Sequence, residues 1–213
     1  MTARRLVLLR HGRTAWNEAG RAQGHADIGL DDHGHAQAAV VAPCIAALEP
    51  ASLWTSDLAR ARQTCAYVER ATGLSAKVDE RLREYDVGER QGMTSAQFEA
   101  SYPEAFASWR AGDDRVHVPS AESDEQVLTR LLPALQECIG SLSRTDSGVV
   151  VMHGAALKVG LLGLLGWPQH QARTLRGIDN CAWVTVIQGR DERMRLAGYN
   201  EHALAPGGSV VDL

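Results

Sequence analysis

Short apolar runs alternate with amphipathic segments along the chain. The first run, Leu6-Val7-Leu8-Leu9, shows no polar alternation, which is typical of a strand buried on both faces of a parallel sheet. Five strands are predicted, near residues 4–9, 51–54, 148–152, 181–187 and 193–197. Helical segments separate most of them. The pattern therefore predicts a β-α-β layout and an α/β fold.

Capping signals mark several helix starts. Thr94-Ser95-Ala96-Gln97 and Ser123-Asp124-Glu125-Gln126 each fit a capping box, in which the first and fourth side chains satisfy free backbone N–H groups. They predict helices that begin near residues 95 and 124. Further helices are predicted over residues 35–48, over residues 57–72, and from Gly154 to about Leu165.

Four aromatic residues at helical spacing lie between the two capping boxes. They are Phe98, Tyr102, Phe106 and Trp109. Their spacing favours packing onto the core, and the alternative is an aromatic wall that contacts a substrate.

Composition excludes several function classes. The chain has 213 residues, 45% of them hydrophobic, and no linker-like stretch, so residues 1–213 are expected to form one domain. The net charge of -4 offers no basic surface for nucleic acid. No leader or membrane-spanning run is found, which predicts a cytoplasmic protein without a membrane partner. The four separated cysteines predict free thiols rather than a zinc site or disulfides.

Two strands run directly into a His-Gly pair. Arg10-His11-Gly12 follows the first strand, and His153-Gly154 follows the strand near residues 148–152. In α/β sheets the ligand crevice lies at the carboxyl ends of strands, so His11 is a candidate nucleophile. Gly12 would allow close backbone approach to an oxyanion. The helix after His153 would present free N–H groups that favour phosphate.

Four ordered blocks carry a family resemblance. They are Leu9-Arg10-His11-Gly12 with Thr14, Trp16, Asn17 and Gln23-Gly24; Thr55-Ser56-Asp57-Leu58-Ala59-Arg60-Ala61 with Thr64; Leu82-Arg83-Glu84 with Gly88 and Gln91-Gly92; and Val151-Met152-His153-Gly154. With these blocks the chain resembles the histidine phosphatase superfamily, in its phosphoglycerate-mutase-like branch. The resemblance implies a three-layer α/β/α sandwich with a mostly parallel central sheet.

The resemblance also implies catalytic roles. His11 would accept the phosphoryl group and Glu84, initially protonated, would supply the leaving group's proton, giving a neutral or mildly acidic optimum. A protonated His153 would act with them. The implied phosphate-binding residues are Arg10, Arg60, Asn17, Thr14, Gln23 and Gly154. Thr14, Asn17 and Gln23 would either contact phosphate or support the turn. No metal and no other cofactor is implied.

Four positions need a separate interpretation. Arg60 and Arg62 are two residues apart on a helix, so only one can face the site, and the pattern favours Arg60. Arg13 stands where many relatives carry Glu, and it either adds positive potential at the mouth or replaces one supporting bond by another. Ala155 adds a methyl group beside the phosphate pocket.

The leading hypothesis is a metal-independent phosphatase that acts on a small organic phosphomonoester and releases inorganic phosphate. In size and block spacing the chain is similar to glucosyl-3-phosphoglycerate phosphatases, which favours a substrate with a sugar or glycerate part. Residues 88–122 are expected to cover the substrate. A homodimer through an edge strand or an exposed helix is a further expectation, although no sequence signal identifies its surface.

Two alternatives stay open. One is a cofactor-dependent phosphoglycerate mutase, which would return the phosphoryl group to a captive phosphoglycerate. Family mutases carry a longer insertion with adjacent basic residues between the third and fourth blocks, whereas this chain has only dispersed Arg residues there. The other is a non-catalytic module that binds phospholigands, which would have no need of Glu84.

Overall fold

A computed structural model describes residues 3–112 and 118–203 of the chain. The strands are β1 (Arg4–Arg10), β2 (Pro50–Thr55), β3 (Lys77–Val78), β4 (Ser147–Met152), β5 (Trp183–Gln188) and β6 (Met194–Glu201). The α-helices are α1 (Ala15–Glu18), α2 (Asp32–Ala46), α3 (Ala59–Thr72), α4 (Ser95–Ser101), α5 (Pro103–Ala111), α6 (Asp124–Gly140) and α7 (Gly154–Leu165). Short 3-10 helices occupy Glu80–Leu82, Gly88–Arg90 and Gln169–Arg173.

The strands form one sheet in the order β3-β2-β4-β1-β5-β6. The pairings β3-β2, β2-β4 and β4-β1 are parallel, whereas β5 and β6 each run antiparallel to the preceding neighbour. Helices α2 and α3 cover one face, and α6 and α7 cover the other. The predicted three-layer α/β/α sandwich with a mostly parallel sheet is confirmed. All five predicted strands are present; the two-residue edge strand β3 carries too little pattern to be predicted.

The unbroken apolar run of β1 supplies both cores. Leu6 and Leu8 pack into the cluster with α6 and α7, while Val7 and Leu9 pack into the cluster with α2 and α3. All four side chains are fully buried. Burial of one such side chain contributes about 1.5–3 kcal/mol, so a polar residue anywhere in this run would disturb one of the two layers.

Helix starts follow the capping signals. Both predicted capping boxes are present, with Thr94 capping α4 and Ser123 capping α6. Helix α2 begins three residues earlier than predicted, because the side chain of Asp31 accepts the N–H of Gly34 at 2.7 Å. Helix α3 begins at Ala59 rather than at residue 57, after an extended Leu58.

Two simpler expectations can also be compared with the structure. The cysteines are free, and all but Cys44 are buried. Within residues 3–112 and 118–203, no helix combines the length and the apolar character needed to cross a membrane.

Candidate active site

The pairing of β1 with β4 brings the two His-Gly pairs together. Arg10 is in register with Met152, so the residues that follow, His11 and His153, leave adjacent strands at the same edge. Their ring centroids are 5.2 Å apart. Two sequence blocks that are far apart along the chain therefore form one site, as their place at the strand ends predicted.

The His11 ring is held in a single orientation. Its Nδ1 lies 2.7 Å from the carbonyl oxygen of Gly12, which requires Nδ1 to carry the proton. The carbonyl of His11 accepts a hydrogen bond from Asn180 at 2.9 Å. Burial, and then the positive charges of Arg10 and Arg60, hold the pKa of His11 well below its ordinary value. His11 is therefore neutral, with its Nε2 lone pair available for attack.

Gly12 serves helix packing rather than oxyanion approach. A Cβ atom at Gly12 would lie 2.6 Å from the carbonyl oxygen of Gly34, so the glycine allows the end of β1 to meet the start of α2. The Gly12 N–H donates to Oγ1 of Thr64 at 3.0 Å and is not free for a ligand. The expectation that Gly12 makes room for an oxyanion is corrected accordingly.

Arg60 is a fully buried cation on α3. Its Nη1 and Nη2 donate to the carbonyls of Ala26 and Gly24, both at 2.8 Å, and its Nε donates to Nδ1 of His153 at 3.2 Å. Burial lowers the pKa of Arg60 to about 10, so it stays charged at neutral pH. Arg62 is exposed, which confirms that Arg60 is the arginine of this pair that faces the site.

Arg10 keeps an unsatisfied donor in the cavity wall. Its Nη1 donates to the carbonyl of Ile178, but its buried Nε has no hydrogen-bond partner among the described residues. A Cβ atom at Gly154 would lie 3.1 Å from this Nε, so Gly154 makes room for the guanidinium. A buried N–H without a partner costs about 1–3 kcal/mol, and an anion in the cavity would remove that cost.

His153 is neutral in this arrangement, which corrects the expected cation. Its Nδ1 accepts from Arg60, and its Nε2 lies 2.9 Å from Oγ of Ser56. Burial, and then the charges of Arg60 and Arg10, hold its pKa well below the ordinary value. The sequence indicated a histidine near phosphate, but it did not indicate that the Arg60 guanidinium donates to Nδ1 of that histidine.

Glu84 occupies the N-terminus of α7. Its carboxylate accepts the N–H groups of Ala155 at 3.0 Å and Ala156 at 2.8 Å, together with that of Tyr85 at 3.0 Å. These N–H groups at the start of α7 therefore hold Glu84, which corrects the expectation that they are free to bind phosphate.

Asn17 and Gln23 line the cavity, and Thr14 supports them. The buried hydroxyl of Thr14 caps α1 by accepting the N–H of Asn17 at 3.1 Å, and it lies 3.0 Å from Oε1 of Gln23. Of the two roles left open for these residues, the turn-supporting one therefore applies to Thr14. Contact of Asn17 and Gln23 with phosphate stays a prediction.

The site forms the floor of a cavity of about 490 Å³. Arg10, His11, Arg60 and Glu84 line the floor, together with Ala155. The described part of residues 88–122 supplies much of the opposite wall, including Arg90, Phe98, Ala105, Trp109, Gly112, Val118, Ala121 and Glu122.

The aromatic residues divide between the two roles that the sequence left open. Phe98 is 2% exposed and anchors a small core with Ala105 and Val118, against which Tyr102 and Phe106 pack. Trp109 is 45% exposed and faces the cavity. The predicted packing is thus confirmed for Phe98, Tyr102 and Phe106, whereas Trp109, near the end of α5, lines the cavity together with Phe98.

Sequence reasoning missed two supporting residues. Arg130 donates to the carbonyls of Arg81, Arg83 and Glu84 at 2.8–2.9 Å and thereby holds the loop that carries Glu84. Ser56 contacts His153, although the sequence marked it only as a member of the second block. No local pattern marks Arg130, because its partners lie far away in sequence.

The contacts of Arg13 decide between the two roles considered for it. It forms ion pairs with Asp31 at 2.9 Å and with Glu18, and it lies outside the residues that line the cavity with His11. Arg13 therefore replaces one supporting bond by another. Within the described part of the chain, no group of three or more His, Cys, Asp or Glu residues has the arrangement of a metal site.

Comparison with known proteins gives consistent matches. Residues 6–202 match the profile of the "Histidine phosphatase superfamily (branch 1)". The chain is 37% identical over 195 residues to a glucosyl-3-phosphoglycerate phosphatase from Mycolicibacterium vanbaalenii, covering 87% of this chain and 85% of that protein. It is 34% identical over 183 residues to "Probable phosphoglycerate mutase GpmB" from Erwinia tasmaniensis, covering 83% and 81%.

Solved structures agree with these matches. The mycobacterial glucosyl-3-phosphoglycerate phosphatase in complex with VO3 superposes with a TM-score of 0.86 at 35% identity. The superposition covers 93% of this chain and 99% of that one.

Proposed function

This chain belongs to the histidine phosphatase superfamily (branch 1), and we propose from that membership that it is a metal-independent phosphatase using a phosphohistidine on His11. The substrate is a small organic phosphomonoester, and the products are an alcohol and inorganic phosphate. The observation that carries the proposal is the neutral His11 ring, whose Nδ1 is held by Gly12 and whose Nε2 meets no hydrogen-bond partner among the described residues.

In the first step, Nε2 of His11 attacks phosphorus and the bond to the leaving oxygen breaks. Arg10 and Arg60 bind the equatorial oxygens, where negative charge is spread in the transition state. The leaving alkoxide takes a proton from Glu84. In this proposal Glu84 begins the step as the acid and ends it as the carboxylate.

In the second step, water attacks the phosphohistidine. The Glu84 carboxylate takes the proton of that water, the P–N bond breaks, and Nε2 recovers its lone pair. His153 acts by positioning the Arg60 guanidinium, whose N–H it accepts at Nδ1. Asn17 and Gln23 complete the phosphate contacts, and Gly154 leaves space for Arg10.

We further propose that the leaving group has a sugar or glycerate part. The related mycobacterial proteins are named for glucosyl-3-phosphoglycerate. In the cavity wall, Nε2 of Gln169 donates to the carbonyl of Val159, while its buried Oε1 lacks a partner among the described residues. A hydroxyl group of the leaving group would satisfy that acceptor. Residues 88–122 cover the substrate in this proposal.

The experiment compares phosphate release by the parent and by His11→Ala across a panel of phosphomonoesters. The panel includes p-nitrophenyl phosphate and 3-phosphoglycerate, with acid quenching of radiolabelled reactions to trap the phosphoenzyme. We expect release and label to disappear together in His11→Ala. The matched control is Arg62→Ala, an exposed change on the same helix as Arg60, which should keep both.

Two results would contradict the proposal. Phosphate release that persists in His11→Ala would contradict a phosphohistidine intermediate on this residue. The non-catalytic module would be favoured if the protein bound phosphate, released none from any substrate, and bound it equally well after Glu84→Gln.

A mutase is the second candidate, because the chain is also similar to the protein named as a probable phosphoglycerate mutase. Interconversion of 2- and 3-phosphoglycerate, primed by 2,3-bisphosphoglycerate and faster than phosphate release, would place the mutase first. Assembly as a homodimer and a cytoplasmic location stay predictions from the sequence.

A further inference from the structure

The Arg90 guanidinium lies against two aromatic rings in the cavity wall. Its Cζ lies 4.5 Å from the ring centroid of Phe98 and 4.4 Å from that of Trp109. The electron-rich ring faces hold the cation but do not replace hydrogen bonds to its N–H groups. Among the described residues, Arg90 forms neither an ion pair nor a side-chain hydrogen bond, and burial lowers its pKa.

The other cavity cations have protein acceptors. Arg21 donates to the carbonyl of Gly92 at 2.6 Å, Lys158 to that of Ala172 at 2.9 Å, and Arg173 to that of Trp109 at 2.8 Å. These three side chains tie parts of the wall together. Arg10 beside His11 also keeps a free Nε, but Arg90 is the cavity-lining cation, within the described residues, that gives none of its side-chain N–H groups to a protein acceptor.

We propose, building on the phosphatase function above, that Arg90 determines specificity by binding a carboxylate on the leaving group. The planar guanidinium fork matches a carboxylate with two parallel N–H···O bonds. The two rings also contact each other, with centroids 6.0 Å apart, and neither offers a hydrogen-bond acceptor that would satisfy the N–H groups of the fork. Because Asp86, Glu122 and Asp124 line the same cavity, a monoanionic carboxylate suits this wall better than a second phosphate dianion.

The position of Arg90 along the chain supports the same assignment. Arg90 ends the 3-10 helix Gly88–Arg90, shortly after Glu84. One loop therefore carries both the group that protonates the leaving oxygen and the group that would hold the carboxylate. Both residues line the same cavity of about 490 Å³.

The test compares two esters that differ by one group. In 3-phosphoglycerate a carboxylate stands where glycerol phosphate has a hydroxymethyl group. The measured quantity is the ratio of their kcat/KM values for the parent, Arg90→Gln, Arg90→Lys and the control Arg110→Gln. Arg110 is exposed on α5, next to Trp109, and does not line the cavity.

We expect the parent to prefer 3-phosphoglycerate. In Arg90→Gln this preference falls by roughly 10- to 100-fold, because a charge-assisted hydrogen-bond pair is lost. The change appears as a higher KM for 3-phosphoglycerate. Arg90→Lys falls in between, since it keeps the charge without the fork, and Arg110→Gln matches the parent. The ratio is internal to each preparation, so a smaller folded fraction would not alter it.

A parent without preference for the carboxylate ester, or a ratio unchanged in Arg90→Gln, would overturn the inference. Either result leaves the phosphatase proposal standing if release still depends on His11. Release that survives His11→Ala would instead overturn the proposed function itself.

Discussion

Both histidines of the site are neutral for the same physical reason. His11 is 2% exposed and His153 is 0% exposed, and each lies beside the guanidinium groups of Arg10 and Arg60. A second proton would place like charges together away from water, so both pKa values fall. A neutral His11 suits the nucleophilic role proposed for it, and a neutral His153 can accept the Arg60 N–H at its Nδ1.

The depressed pKa values predict how stability changes with pH. The unfolded chain binds protons at these two histidines below pH about 6.5, whereas the folded chain does not. Folding stability is therefore complete above that pH and is lost as the pH falls, by up to about 1.4 kcal/mol per pH unit for each histidine. Urea unfolding at pH values from about 7.5 down to about 5.5, on either side of that ordinary pKa, measures the slope.

A variant pair distinguishes this source of pH dependence from others. His153→Asn should remove about half of the parent's slope, because one of the two buried histidines is gone, and His170→Asn, at an exposed position, should leave the slope unchanged. Equal stability of the parent at both ends of this pH range would show that the two histidines are not neutral when buried.

The Glu84 carboxylate has a role that depends on the leaving group. With p-nitrophenyl phosphate the leaving phenolate needs little protonation, so Glu84→Gln should keep a rapid burst of p-nitrophenolate. Hydrolysis of the phosphohistidine then slows by roughly 10²–10⁴-fold, because the attacking water has lost its base. Stopped-flow absorbance measures both phases. If the burst and the steady-state rate were both lost, Glu84 would be assigned to substrate binding instead.

At the scale of elements, the loop from Arg81 to Glu84 is held by α6. Arg130 on α6 donates to three carbonyls of this loop and forms an ion pair with Glu122 at 2.8 Å. The loop itself contains only the end of the 3-10 helix Glu80–Leu82 and has few backbone bonds of its own. The position of Glu84 against α7 therefore depends on α6.

Arg130→Met should consequently reduce both stability and turnover. Three carbonyls and the Glu122 carboxylate lose a partly buried partner, which is expected to cost about 2–4 kcal/mol of unfolding free energy. Thermal and urea unfolding, with kcat on 3-phosphoglycerate, measure the effect. Arg62→Met at an exposed position of α3 is the control, expected within about 0.5 kcal/mol of the parent. An Arg130→Met variant with unchanged stability and turnover would show that α6 does not support the site.

At the scale of the whole molecule, an acidic chain assembles a cationic floor. The net charge is -4, yet Arg10 from β1 and Arg60 from α3 meet beside His11 and His153. The sheet order, with β4 between β1 and β2, brings these segments to one edge. The positive charge beside His11 thus comes from side chains of distant segments.

Chelation should leave the proposed reaction unchanged. The two guanidinium groups supply the positive charge that the transferred group requires, so EDTA should alter kcat/KM by less than about twofold. The comparison is made on one preparation before and after dialysis against EDTA, and again with added Mg²⁺ or Zn²⁺. Activity that disappears in EDTA and returns with either ion would refute the metal-independent mechanism.

The sequence by itself determined the elements and the residues at the strand ends. Apolar runs such as Leu6-Val7-Leu8-Leu9 and capping residues such as Thr94 and Ser123 act over a few positions, so their effect is visible in a short window. The placement of His11 and His153 together followed from strand ends of a parallel sheet.

Only the tertiary structure decided the state and the contacts of those residues. The neutrality of His153, the contact of Glu84 with α7 and the position of the Arg90 guanidinium against two rings each depend on burial or on partners from other elements. Desolvation and hydrogen bonding at a given atom are set by whichever groups the fold brings within a few ångströms. Those neighbours lie far away in sequence, and no local pattern encodes them.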